Sequence, residues 1–167
     1  MTMSNGSELS EALYQEIILD HARTPRHAGF RDLYQSSSHQ VNPTCGDEID
    51  LRLAVHDGLV DDISYETQGC AISTASASVM SELLIGQSVT EGLRRHEAFL
   101  ELMQSRGTED GDEDVLGDAV AFAGVSRYPA RVKCALLAWM AWKDALARLP
   151  DDQPAPLTTA INLGESS

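Results

Sequence analysis

The chain has 167 residues, 43% of them hydrophobic, which is enough for one domain with its own core and no help from disulfides. A formal net charge of −14 and a sequence pI near 4.5 argue against a phosphate-backbone partner, because nucleic-acid binders present clustered Lys and Arg. No run approaches the ~20 apolar residues of a membrane-spanning helix. Met1–Ser10 also lacks the basic start and apolar stretch of a secretory leader, so a soluble, cytoplasmic protein is expected.

In chain order, Glu8–Arg23 is predicted to be an amphipathic helix, with Leu9, Ala12, Leu13 and Ile17 at three-and-four spacing. Thr24-Pro25 ends it, since the residue before a proline avoids the α region. A polar connection, Arg26–Ser38, leads to three strands at Ser38–Asn42, Glu48–His56 and Leu59–Gln68. In the second, Ile49, Leu51, Leu53 and Val55 alternate with Asp50, Arg52 and Ala54, the period of a half-buried strand. Asp57-Gly58 is a two-residue hairpin signal, so the sheet is expected to be antiparallel. Helices are predicted at Cys70–Leu84, Thr90–Ser105, Asp114–Ala123 and Pro129–Arg148, with Gly86 and the acidic stretch Gly107–Asp114 as breaks. Pro129 suits a first helical turn, where its missing N–H is not needed. The proline-containing tail, residues 150–167, is expected to be disordered and to leave one domain over residues 1–149. Strands followed by helices give an α+β class: a small three-stranded antiparallel sheet with helices packed on one face.

Three cysteines, Cys45, Cys70 and Cys134, do not suggest a disulfide framework. Asn42-Pro43-Thr44-Cys45-Gly46-Asp47 lies between two strands, and Gly46 lets a thiol and a carboxylate two positions apart converge. It reads equally as a half-site for zinc or iron and as a turn whose Asn, Pro, Gly and Asp serve only the backbone. Cys70 falls where a strand runs into a helix. There the helix N-terminus favours a thiolate, and a tight turn equally favours a small residue. Arg131 and Cys134 are three apart on one helix face, so a guanidinium stands near a thiol, although the run Ala135–Trp139 also fits ordinary helix packing. Three cysteines and one aspartate make a four-ligand set for tetrahedral zinc, but no CxxC pair links them. His21, His27, His39, His56 and His96 are available as substitutes, the first two best placed at a helix end.

At these segments the sequence resembles the SufU branch of the IscU/SufU (NifU N-terminal-like) family of iron–sulfur cluster assembly proteins, over roughly Leu9–Leu146. The resemblance is carried by Asp20-His21-Ala22-Arg23-Thr24-Pro25-Arg26, Asn42–Asp47, Gln68-Gly69-Cys70-Ala71-Ile72-Ser73 and Pro129-Ala130-Arg131-Val132-Lys133-Cys134, in that order. It implies that Cys45, Asp47, Cys70 and Cys134 bind one zinc ion, with iron or a [2Fe–2S] cluster as the alternative. It also implies that Cys45 accepts persulfide sulfur from a cysteine desulfurase of the SufS type, a histidine of the desulfurase displacing Cys45 from the metal. Arg131 matches a family arginine that supports the site or a partner contact. Lys133 stands where IscU-type scaffolds carry a histidine, and Gly107–Asp114 resembles part of the SufU-type insertion. Both favour a zinc-dependent sulfurtransferase over a scaffold that builds and transfers a [2Fe–2S] cluster alongside other assembly proteins. A purely structural zinc in an interaction module is the third reading.

Overall fold

The computed structural model describes residues 2–150, with side chains described from residue 11 onward. The tail expected to be disordered lies, apart from Pro150, outside the described residues. The chain opens with α1 (Thr2–Arg23), which starts earlier than the expected Glu8 and ends where Thr24-Pro25 stops it. Strands β1 (Ser36–Asn42), β2 (Asp47–His56) and β3 (Leu59–Gln68) form one antiparallel sheet in the order β1-β2-β3. Asp57 and Gly58 both take positive φ, 52° and 76°, the backbone that a two-residue hairpin requires. In this register Ile49, Leu51, Leu53 and Val55 of β2 are all buried and share a face with Ile63 and Tyr65 of β3.

The helices cover that face. α2 (Ala71–Leu84) packs between α1 and α5 (Pro129–Ala147), and α5 lies across β1 and β2. Ser73, Ala75, Ser76, Ala77 and Ser78 of α2 are all buried, and their small side chains let neighbouring backbones come close. Ser76 Oγ donates to the Ala135 carbonyl at 2.6 Å and accepts from Trp139 Nε1 at 3.0 Å. Trp139 in turn stacks on Phe99 of α3 (Val89–Gln104) with ring centroids 4.3 Å apart. At the other end of α5, Ser36 and Ser38 of β1 donate to the Ala145 carbonyl and the Asp144 carboxylate at 2.6 and 2.7 Å. On the opposite face of the sheet, Arg52 lies between the rings of Phe30 and Tyr34, 4.2 and 4.6 Å from their centroids.

One predicted helix is remade. Asp114–Ala123 is not continuous: α4 covers only Glu113–Leu116, Gly117 turns the chain at φ 51°, and Gly117–Arg127 continues as a 3-10 helix. Ala119, Val120, Ala121, Phe122, Ala123 and Val125 are all buried, so packing on several sides rather than one amphipathic stripe decides the winding there. The acidic loop before it is tied down, with Gly107 N donating to Ser126 Oγ at 2.8 Å.

Candidate metal centre

Asn42 closes β1, and its side-chain oxygen accepts from Thr44 N at 3.1 Å while its carbonyl accepts from Gly46 N at 2.7 Å. Those bonds shape a four-residue turn, residues 43–46, on which Gly46 takes φ +78°. Asn42 and Asp47 face each other across the turn, so Cys45 stands exposed at its tip while Asp47, the first residue of β2, is 4% exposed. After β3, Gly69 passes directly beside Asp47. Cys70 then caps α2 with an extended backbone, its side chain making no cap bond to a helix N–H but lying 3.8 Å from Ser73 Oγ. On α5, Cys134 is turned inward and is 6% exposed.

These elements bring the donors together. Cys45 Sγ lies 3.4 Å from Cys134 Sγ, and ligand atoms of Cys45, Asp47 and Cys134 all fall within 4.8 Å of one another. Cys70 is not part of that mutual set but adjoins it, its Sγ 3.4 Å from Asp47 Oδ2 and its N–H donating to Asp47 Oδ1 at 3.3 Å. Ser73, from the first turn of α2, donates to Asp47 Oδ2 at 2.5 Å. Burial works to raise the Asp47 carboxyl, but hydrogen bonds from Ser73, Cys134, Cys70 and Cys45 outweigh it and leave the group below its ordinary value. Burial, followed by its contacts with Asp47, Cys45 and Cys70, pushes the Cys134 thiol well above its ordinary value. Two sulfurs and one carboxylate oxygen, with a third sulfur alongside, form a donor set that could hold a metal ion.

Arg131 stands on α5 one turn before Cys134. It is exposed, its guanidinium 5.8 Å from the Tyr128 ring centroid, and among the described residues it makes no hydrogen bond to a sulfur. The histidines are elsewhere. His21 is buried between Ser78 Oγ at 2.7 Å and Asp118 Oδ2 at 3.2 Å, so it links α1, α2 and the 3-10 segment. His39 pairs with Asp50 and His56 with Asp57, whereas His96 is buried beside Trp139 and Trp142. Gly69 and Ser73 are not legible as site residues from the sequence beyond their place in the Gln68–Ser73 segment, yet a hydroxyl in the first turn after a candidate cysteine is a signal worth following.

The fold and its site define a class: a small α+β domain in which a hairpin turn, a strand-to-helix junction and a buried helix face present thiols and a carboxylate to one point. The chain belongs to the NifU-like N terminal domain family, whose model matches residues 13–135, a family of iron–sulfur cluster assembly proteins. It is 40% identical over 139 residues to the zinc-dependent sulfurtransferase SufU of Bacillus subtilis, covering 83% of this chain and 92% of that one. It is 39% identical to the iron–sulfur cluster assembly scaffold protein IscU of Streptococcus pyogenes, covering 84% and 87%. Among solved structures, a SufU of Fervidobacterium islandicum, described there as a cluster assembly scaffold for the SUF system, superposes with a TM-score of 0.72 at 34% identity, covering 78% and 94%. No helix among the described residues is long and apolar enough to cross a membrane.

Proposed function

We propose that the chain, through a domain spanning residues 1–149, is a zinc-dependent sulfurtransferase. In this reading Cys45 accepts sulfur from a cysteine desulfurase for iron–sulfur cluster assembly. The observation that carries it is the pairing of an exposed thiol with a buried one: Cys45 Sγ on a turn, 3.4 Å from Cys134 Sγ. Cys45, Asp47, Cys70 and Cys134 would hold the zinc, which supplies a redox-inert positive charge that keeps its sulfurs ionised. The Cys45 thiolate gives an electron pair to the outer sulfur of the desulfurase persulfide. A new S–S bond forms on Cys45 as the old one breaks, and the desulfurase cysteine leaves as a thiolate, so no oxidant is consumed. Only a thiol at the protein surface can meet a sulfur carried on another protein, and Cys45 and Cys70 are the two exposed ones. Of the two, Cys45 is the one that matches the family's sulfur-accepting thiol, and it stands on the exposed turn. Arg131 and Lys133 stand exposed on the helix that carries Cys134 and offer positive charge to the incoming persulfide or its carrier. The cytoplasm suits three unpaired thiols, which stay reduced there.

The experiment is desulfurase turnover with and without the chain, alongside metal analysis of the purified protein. Wild type binds one zinc per chain and raises turnover, and Cys45→Ser abolishes the increase. Stimulation unchanged by that substitution would overturn the sulfur-acceptor role. The similar identity to chains named as scaffolds supports a second reading, in which the same donors carry a [2Fe–2S] cluster. Anaerobic reconstitution separates the two, because a stable and transferable cluster favours the scaffold. Unfolding on chelation would instead favour a purely structural metal.

A further inference from the structure

We propose that Ser73 is a positioning residue that holds the Asp47 carboxylate in the donor set independently of Cys45, so that the sulfur-accepting thiol can leave without the carboxylate following it. This rests on the zinc-site reading above and assigns the site an anchored half and a releasable half. The two oxygens of Asp47 have separate partners, both from the start of α2: Oδ1 accepts from Cys70 N at 3.3 Å and Oδ2 from Ser73 Oγ at 2.5 Å. Ser73 Oγ also lies 3.4 Å from the Cys134 carbonyl. A hydroxyl has one proton to give, and the shorter contact with a charged acceptor takes it. Ser73 is 2% exposed, so its bond is shielded from competing water. Gly69 completes the cradle, because a Cβ there would stand 2.6 Å from Asp47 Cγ.

Cys45 is held differently. It sits on the exposed turn, where Gly46 faces open space, and its sulfur meets Cys134 and Asp47 rather than any α2 donor. Withdrawing Cys45 removes its own contact with Asp47, while the two hydrogen bonds from α2, from Cys70 N and Ser73 Oγ, stay in place.

The test is zinc affinity, read by competition with a chromogenic chelator, together with the absorption spectrum of the cobalt-loaded protein. Removing the hydroxyl in Ser73→Ala should lower zinc affinity about 10–100-fold and alter the cobalt spectrum, the range found when a group that orients a metal ligand is deleted. Ser73→Thr, which keeps the hydroxyl, should recover most of the affinity. Cys45→Ser removes a donor and should lower affinity, and adding Ser73→Ala to it should lower affinity by a further factor like that of Ser73→Ala in wild type, because the two act on separate halves of the site. In an Asp47→Ala background, Ser73→Ala should cost nothing further. That pair leaves neither partner unsatisfied, so it remains informative even where Ser73→Ala alone folds poorly. Wild-type affinity in Ser73→Ala, equal losses in Ser73→Ala and Ser73→Thr, or an additive loss on top of Asp47→Ala would each overturn the assignment. Wild-type protein that binds no zinc would instead sink the zinc-site reading itself.

Discussion

Gly69→Ala tests the site by steric means alone. The added methyl would lie 2.6 Å from both Cγ and Oδ1 of Asp47 and 2.9 Å from its Cβ. Carbon contacts settle near 3.5–4.0 Å, so the carboxylate must move by about 1 Å. Asp47 is short, buried and held by Ser73 and Cys70, and that movement lengthens both bonds. Hydrogen bonds to a charged group contribute about 1.5–3 kcal/mol. The substitution recovers about 0.4–1 kcal/mol by restricting the unfolded chain, and Gly69 does not use the left-handed backbone that would add strain. The zinc-free protein should therefore lose about 1–2 kcal/mol, read from urea midpoints, with zinc affinity falling about 10–100-fold by chelator competition. Gly46→Ala is the control: nothing lies within 4 Å of its Cβ position, so its cost is the roughly 1–2 kcal/mol of a residue forced to φ +78°. Wild-type zinc affinity in Gly69→Ala would refute the reasoning, since it would mean that the Asp47 position does not govern metal binding.

Two further outcomes are expected. Glu91 is half-buried in the first turn of α3, and hydrogen bonds from Arg94 and Arg95 hold its carboxyl down to about 2, against an ordinary value of 4.5. A depressed folded value stabilises the native state above the unfolded value and ceases to do so as pH falls through the folded one. The stability gap between wild type and Glu91→Gln should thus be full at neutral pH, shrink below pH 4.5 and vanish near pH 2; a gap independent of pH across that window counts against the assignment. His21→Ala should destabilise the fold by about 2–4 kcal/mol, because it opens a buried space and removes a partner from Ser78 and Asp118. Its zinc stoichiometry should match wild type, and loss of the metal would return His21 to the list of ligands.

Local signals carried most of the fold. Strand alternation, the Asp57-Gly58 turn and Pro129 in a first turn are properties of neighbouring residues, and β3 and the start of α5 fall where those signals put them. The 3-10 segment was not legible, because Ala119, Ala121 and Ala123 carry little periodic contrast and Phe122 packs edge-on against Phe99 of α3, a contact that no local window contains. Ser88 in front of α3 was legible in principle, as a capping serine three residues before Glu91.

The donor cluster is a harder case, and the reason is geometric. Cys45 and Cys134 meet at 3.4 Å from 89 positions apart, while Cys70 reaches Asp47 across 23. No spacing rule covers such distances. The Asn42–Asp47 pairing sets Cys45 at a hairpin tip, the in-line step from β3 into α2 sets Cys70 beside β2, and α5 crossing the same strands sets Cys134 beneath both. Each placement is modest on its own, and the site exists only because one sheet serves all three. The residues that hold the ligands obey the same rule. Ser73 matters because α2 begins beside Asp47, and Gly69 because a Cβ there would stand 2.6 Å from that carboxylate. Substitutions at Ser73 and Gly69 should therefore disturb the metal without touching a donor atom, a result that a chance gathering of thiols on a stable core would not produce.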